Sequence, residues 1–147
     1  MLNFWKNNKE RQKNILFILL LLLAILFFVF SRYKIVVLSE KIFVARVAND
    51  ISSQKEGLGG RKSLCRNCAM IFEFDGSRQL SFWMKGMEFD LDIIWINKNK
   101  IVHIKKNFSH TSKETISPAA KADTVLEINA GLSDKYGFEV GDEVRIY

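Results

Sequence analysis

The sequence predicts an α+β protein: a small, mostly antiparallel, partly closed β-barrel with two short helices, preceded by an N-terminal transmembrane helix. Three observations predict it. An uncharged apolar run lies near the N-terminus, segments rich in Val, Ile and aromatic residues follow it, and turn or helix-cap residues separate those segments. At 147 residues the chain has room for one domain and one appendage.

The apolar run occupies residues 14–31, "NILFILLLLLAILFFVFS", and follows a basic tail at residues 1–13. Its wholly apolar part, Ile15 to Phe30, would span about 24 Å as a helix, slightly less than a hydrocarbon core of about 30 Å. A soluble core of this size cannot hide a helix that is apolar on every face. We therefore expect a retained signal anchor. Cleavage after Ser31 is the alternative, disfavoured by the lack of Gly or Pro before that site.

The charges that flank the run predict its orientation. Four cationic residues precede the run, against Glu10 alone: Lys6, Lys9, Arg11 and Lys13. By the positive-inside rule, the N-terminus is cytoplasmic and the C-terminal domain is extracytoplasmic. Trp5 and Tyr33 are placed to lie at the two interfaces.

The rest of the charge is mixed. Of the 22 Lys and Arg residues four precede Ser31, and of the 16 Asp and Glu residues one does, so residues 31–147 carry a net charge of +3. A domain with this mixture lacks the strong basic footprint of a nucleic-acid-binding protein. The sequence therefore predicts no nucleic-acid partner.

The outer domain begins with residues 32–40, a linker or first strand, and continues through residues 41–147. "KIFVARVA" alternates as a strand does, with Ile42, Val44, Arg46 and Ala48 on one face. Asn49 or Asp50 is placed to cap a short helix over "ISSQKE", and Gly57 to end it. The glycine-rich "GLGGRKSLCRNC" is expected to form a loop.

The middle of the domain predicts two hairpins. "AMIFEF" is expected to be a buried strand, "DGSR" its turn and "QLSFWMK" its hairpin partner. "LDIIWI" is almost continuously apolar, as in a strand covered on both faces. "NKNK" follows as a tight turn, since Asn tolerates positive φ, and "IVHIKK" returns.

The last part supplies two more strands and a helix. A long polar connection, "NFSHTSKETISPAAKAD", leads to the strand "TVLEINA". "GLSDKYG" is expected to be a short helix that ends at Gly137, and "FEVGDEVRIY" a turn with a closing strand.

Five motifs carry a family resemblance: "GLGGRKSL", "FWMK", "DIIWI", "VLEINAG" and "VGDEV". In this order and spacing they resemble the domain of unknown function 192 family of bacteria and archaea, over residues 41–147. The resemblance implies a compact β-rich fold and a secreted or membrane-anchored protein. It implies no established reaction.

Six polar or aromatic residues are candidate ligand contacts. On a strand, Trp83 and Lys85 share one face, where an aromatic wall beside an ammonium group suits an anionic or sugar ligand. Asp92 could oppose Lys85. The other three candidates are Arg61, Glu127 and Asn129.

We expect Glu127 and Asn129 to share a face with Val125, and Arg61 to pair with Glu127 near Trp83. The alternatives are that the aromatic residues fill the core, that Glu127 and Asn129 face solvent or make structural hydrogen bonds, and that Lys85 and Asp92 form a surface ion pair.

The two cysteines, Cys65 and Cys68, leave four possibilities: a local disulfide, free thiols, a metal site or a catalytic redox pair. A disulfide is favoured outside the cytoplasm. The spacing of His103 and His110 does not suit a zinc finger, so no metal site is predicted. His103 alone on a strand is interpreted as structural.

These observations favour a cell-envelope binding or accessory module without catalytic residues or cofactors, tethered to the membrane and acting on an unknown small molecule or envelope partner. Its outer domain is expected to be monomeric. The alternatives are a small envelope enzyme that uses carboxylates, Lys85 or His103, and a thiol redox accessory protein.

Overall fold

The structure, a computed structural model, describes residues 2–147, with side chains from Glu10 onward except that of Val29. Its contacts divide the chain into two compact units, one that ends at Arg32 and one that spans Tyr33–Tyr147. The first unit is the helix α1, Leu2–Phe30. Its Glu10–Phe28 segment of 19 residues is long and apolar enough to cross a membrane, as an anchor or as a signal sequence. The side chains of Trp5, Lys6 and Lys9, which entered the orientation argument, lie outside the described residues.

The second unit is a β domain with two short helices, α2 (Ile51–Glu56) and α3 (Leu132–Tyr136). The strands are β1 Tyr33–Leu38, β2 Lys41–Ala48, β3 Cys68–Arg78, β4 Phe82–Trp83, β5 Leu91–Asn97, β6 Lys100–Phe108, β7 Thr115–Ile116, β8 Ala122–Asn129 and β9 Val144–Ile146. Seven of them form one sheet in the order β6-β5-β8-β3-β2-β1-β9, and β4 pairs with β7. All pairs are antiparallel except β2 with β3.

The sheet curls until its two edges approach each other. A bridge joins Lys100, at the start of β6, to Glu143, just before β9. Ile101 N–H donates to Asp142 O at 2.9 Å, and Val144 N–H donates to Asn99 O at 2.8 Å. The edges join only at this end, so the predicted α+β, partly closed barrel is confirmed.

The central strands bury apolar side chains on both faces. The alternating side chains of β5 divide between two cores, with Ile94 and Ile96 in the first and Ile93 and Trp95 in the second. β8 does the same, which places Leu126 in the first core and Val125 in the second. The first core fills the curl of the sheet. The second is covered by the loop after α2 and by the segment around β4, and it forms the base of the candidate site.

Short-range signals predicted the β5–β6 turn and the helix ends correctly. Lys98 and Asn99 adopt φ of 49° and 61°, the left-handed values that the β5–β6 hairpin turn requires. Asp50 caps α2 by accepting from Ser53 N–H at 2.9 Å, and Gly57 ends the helix. Gly137 ends α3 in the left-handed conformation.

The first of the two predicted hairpins is wrong. β3 continues through "DGSR" to Arg78, with only a register irregularity after Glu73, and its neighbours are β2 and β8. In "QLSFWMK" only Phe82–Trp83 is a strand, and it pairs with β7. The apolar side chains of this segment lie over the second core instead, because that face of the sheet would otherwise be exposed to water.

Candidate functional site

A cleft of about 270 Å³ opens beside α2, where the segment around β4 crosses the sheet. Its walls are apolar and largely aromatic: Leu58, Phe72, Phe74, Leu80, Phe82 and Trp83. Phe82 meets Phe72 edge to face, with ring centroids 5.0 Å apart, and it meets the buried Trp95 at 5.8 Å. Trp95 in turn donates from Nε1 to Leu80 O at 3.0 Å. These contacts fix the walls, so the cleft is preformed.

Glu127 of β8 lines this cleft and is 5% exposed. The ladder places it between Met70 of β3 and Ile93 of β5, two apolar side chains on the same face. Among the groups that the structure describes, none is a hydrogen-bond partner of its Oε2. A Cβ placed on Gly57 would lie 4.0 Å from that oxygen, so the carboxyl group reaches the turn that ends α2.

This surrounding decides the protonation state of Glu127. Burial without a cationic or hydrogen-bonded partner disfavours the charged form and raises the pKa of Glu127 to about 8. The side chain is therefore mostly a neutral carboxylic acid at pH 7. In that form it offers one O–H donor and an acceptor oxygen to anything that enters the cleft.

Charged side chains line the outer part of the cleft. Lys55 and Glu56 end α2, and Lys85 follows β4; all three are exposed. Trp83 is 46% exposed and stands on the same face of its segment as Lys85, whereas Phe82 and Met84 point to the core. The predicted division of this stretch into two faces is confirmed, and Trp83 and Lys85 both border the cleft.

The expected pairing of Arg61 with Glu127 is wrong. Arg61 lies in the loop after α2, where Gly60 N–H donates to Gly86 O at 2.8 Å and anchors the loop beside β4. Arg61 does not line the cleft, and it enters no ion pair among the described side chains. The alternative that Glu127 faces solvent is also wrong, because Glu127 is 5% exposed.

Asp92 is fully buried but is not part of the cleft. Its carboxylate accepts three backbone N–H bonds: from Asn107 at 2.7 Å, Gly131 at 3.1 Å and Ser133 at 2.7 Å. These bonds join the ends of β6 and β8 to α3. Lys85 is not among its partners, so the alternative of a surface ion pair between them is wrong. Asp92 is structural.

Asn129 also has a structural role. Its amide nitrogen donates to Leu64 O at 3.1 Å and Cys65 O at 3.0 Å, so β8 holds the loop that contains the cysteines. Cys65 and Cys68 form a disulfide with Cα atoms 5.0 Å apart. Cys68 begins β3 instead of a helix, which does not favour a thioredoxin-like redox site.

The two histidines have separate surroundings. His103 lies opposite Trp95 on the ladder and packs edge to face on its ring at 5.3 Å, and partial burial lowers the pKa of His103. His110 Nδ1 lies 2.6 Å from Asp90, whose pKa is lowered by hydrogen bonds from His110. Neither histidine lines the cleft. Among the residues described, no group of three or more His, Cys, Asp or Glu could hold a metal ion.

Sequence reasoning missed part of the site. Lys55, Leu58 and Phe72 line the cleft but were assigned only to a helix, a loop and a strand. One signal was present for Glu127: it is the only acidic residue in the apolar strand "TVLEINA", and a lone carboxyl group there must be either paired or neutral.

Comparison with known proteins agrees with the fold. A protein of unknown function from Novosphingobium aromaticivorans DSM 12444 has 28% identity and a TM-score of 0.71, over 77% of this chain and 83% of that one. A proposed transcription regulator from Sinorhizobium meliloti 1021 has 25% identity and a TM-score of 0.72, over 78% and 92%. None of the curated proteins matches. The family model DUF192, described as "Uncharacterized ACR, COG1430", matches residues 34–146, and the chain belongs to this family.

Proposed function

We propose that this protein is a membrane-tethered binding module whose cleft takes a small organic molecule with an apolar body and one oxygen-bearing polar group. The observation that carries the proposal is Glu127, a buried carboxyl group with an unpartnered oxygen in a preformed aromatic cleft. A buried polar atom without a partner costs about 1–3 kcal/mol. A ligand that supplies the missing hydrogen bond recovers that free energy on binding.

The walls and the outer part of the cleft restrict the ligand further. Phe72, Phe82 and Trp83 offer ring faces and edges to an apolar body of about one aromatic ring, given the volume of the cleft. Neutral Glu127 donates to a hydroxyl, carbonyl or ether oxygen. Lys55 and Lys85 outnumber Glu56 among the exposed charges, which disfavours a cationic ligand.

The same residues do not favour an enzyme. None of the described titratable side chains lies within hydrogen-bond distance of Glu127. Asp92 is occupied by three backbone donors on the opposite face of the sheet. General acid–base chemistry needs such groups to converge on one point. Ligand binding needs only the cleft and its single polar group.

We propose that α1 is a retained anchor that leaves the β domain outside the cytoplasm. The Cys65–Cys68 disulfide supports this location, since disulfides persist in oxidising compartments. Protease added to spheroplasts should digest the β domain. A domain that stays intact until the cells are lysed would reverse the orientation.

A matched pair of probes tests the cleft. 4-Fluorobenzyl alcohol and 4-fluorotoluene share the ring and differ in the hydroxyl group. ¹⁹F NMR of each probe with the full chain in nanodiscs, corrected with empty nanodiscs, should show at least fivefold tighter binding of the alcohol. Glu127→Leu should remove this preference, and Trp83→Ala should weaken both probes. Equal binding of the two probes to the natural chain would contradict the assigned role of Glu127.

A further inference from the structure

The outer face of β1, β2 and β9 carries a contiguous apolar surface. Strand alternation and register place eight side chains on it, which we call the hairpin face: Tyr33, Ile35, Val37, Ile42, Val44, Arg46, Arg145 and Tyr147. Ile35 lies directly opposite Val44, and Val37 opposite Ile42. The inner sides of these strands instead bury Val36, Leu38, Phe43 and Ala45.

The apolar members of the hairpin face are more exposed than a packed sheet would leave them. Ile42 is 59% exposed, and Ile35 and Val44 are 40% and 43% exposed. Single exposed apolar residues are ordinary, but these three are neighbours across one ladder. Tyr147 extends the surface, since Ile35 and Tyr147 exchange both backbone hydrogen bonds and so point the same way.

Two arginines frame this apolar centre. Arg46 lies opposite Tyr33 at one side, and Arg145 lies opposite Val37 at the other. Neither enters an ion pair among the described side chains. An apolar centre with tyrosines and unpaired arginines at its margin matches the depth profile of a lipid surface, where aromatic rings lie at headgroup level and cations meet anionic headgroups.

The short linker to α1 indicates which surface the hairpin face meets. Only four residues separate Phe28, the end of the membrane-crossing segment, from Tyr33, the first residue of the hairpin face. Even a fully extended linker of this length reaches less than about 18 Å. The hairpin face therefore begins within reach of whatever bilayer holds the segment. The tether therefore holds this bilayer near the hairpin face at a higher effective concentration than any other surface.

We propose that the hairpin face docks on the lipid headgroup region of the bilayer that holds α1, with a preference for anionic lipid. Docking inserts Ile35, Ile42 and Val44 among the headgroups and places Arg46 and Arg145 against their phosphates. The tether by itself brings the hairpin face into weak and reversible contact with the lipid. The two arginines make this contact depend on lipid charge. The inference rests on the proposed retention of α1 in the membrane and not on ligand binding, since no hairpin-face residue lines the cleft.

Paramagnetic relaxation tests this docking in the full chain. The protein is placed at one copy per nanodisc, with a quarter of the lipid anionic and a trace of gadolinium-chelating lipid. Amide relaxation should be strongest across β1, β2 and β9 and at least threefold weaker at Leu91, at the end of β5 away from β9, because β8 and β3 separate β5 from β2. Nanodiscs without anionic lipid should reduce the enhancement at Val44 at least twofold. Uniform weak enhancement over the whole domain would overturn the proposal.

Variants separate docking from mere closeness to the tether. Val44→Glu should lower the enhancement at β2 and β9 at least threefold but leave residues next to the tether unchanged. Val140→Glu is the matched control, since Val140 is an exposed apolar residue outside the hairpin face. If Val44→Glu disturbs the fold, Arg46→Glu with Arg145→Glu gives the same test. A signal that depends on two copies per disc and not on lipid charge would assign the face to self-association and refute lipid docking.

Discussion

Two buried carboxyl groups on neighbouring strands, Asp92 and Glu127, have opposite surroundings. The ladder pairs Asp92 with Ile128 and Ile93 with Glu127, so the two groups stand on opposite faces of the same part of the sheet. Asp92 accepts three backbone hydrogen bonds, whereas Oε2 of Glu127 has none. Burial alone therefore does not identify a functional residue. The hydrogen-bond partners of a carboxyl group within the fold distinguish a structural group from a candidate binding group.

The largest effect is expected for Asp92, the carboxyl group with the structural role. Asp92→Ala leaves three backbone N–H groups without their acceptor, at Asn107, Gly131 and Ser133. Each such group costs about 1–3 kcal/mol, so the free energy of unfolding should fall by at least about 3 kcal/mol. Urea unfolding of the full chain in detergent, followed by tryptophan fluorescence, measures this loss. A loss below about 1 kcal/mol would contradict the structural role that distinguishes Asp92 from Glu127.

Glu127→Gln should instead make the protein more stable than the natural chain, and only at higher pH. Below about pH 4.5 both the folded and the unfolded chain hold the proton, and between there and about pH 8 only the folded chain does. Raising the pH through this window therefore favours the unfolded chain. The contribution of Glu127 to the free energy of unfolding should fall by on the order of 2–4 kcal/mol from pH 5 to pH 8.

The Gln side chain keeps the shape and cannot ionise, so the variant should lack this pH-dependent loss. Unfolding by urea at pH 5, 6.5 and 8 compares the two chains. Parallel pH profiles would show that Glu127 does not titrate with a raised pKa. Glu73→Gln serves as a control at a half-buried carboxyl group that forms an ion pair with Lys34.

A smaller effect is expected at the Cys65–Cys68 disulfide. Replacing Cys65 and Cys68 together by Ser opens a loop with a sequence separation of only 3. The chain-entropy model gives about 2 kcal/mol for so short a loop. Asn129 continues to hold the loop through Leu64 O and Cys65 O. A lower melting temperature with unchanged probe binding is expected; lost probe binding would mean that the disulfide shapes the cleft.

The smallest effect concerns Arg61. Because no ion pair joins Arg61 to Glu127, Arg61→Ala and Glu127→Gln should be additive within about 0.5 kcal/mol in a double-mutant cycle. The cycle is measured at pH 8, where a charged partner would matter most. A larger coupling would restore the pairing that the sequence suggested and would place a cation at the cleft.

The sequence predicted these features unequally. Strand alternation correctly placed Glu127 on the face of Val125, because a period of two does not depend on the rest of the fold. It could not distinguish Glu127 from Asp92, since the donors to Asp92 come from backbone positions 15 to 41 residues further along the chain. Arg61 was misassigned for a related reason: the path of a glycine-rich loop is set by what it packs against.

The wrong prediction of a hairpin between "AMIFEF" and "QLSFWMK" has the same origin. "DGSR" is a sound local turn signal, but β3 finds longer partners in β2 and β8, and the signal is accommodated as a register irregularity. The β5–β6 turn and both capped helices were predicted correctly, because their determinants lie within a few residues of each other. The β5–β6 turn and the helix ends were therefore predictable from nearby residues, and the assembly of the cleft from four separate segments was not.

Direct titration of Glu127 tests the central claim most sharply. In the full chain labelled with [¹³C]glutamate and held in nanodiscs, the carboxyl carbon of Glu127 is assigned by its loss in Glu127→Gln. Its chemical shift is then followed from pH 4 to pH 10. The account predicts a midpoint about pH 8, set by burial without a partner. A midpoint about pH 4.5, the ordinary value, would mean that Glu127 is solvated or paired, and it would contradict the binding site built on it.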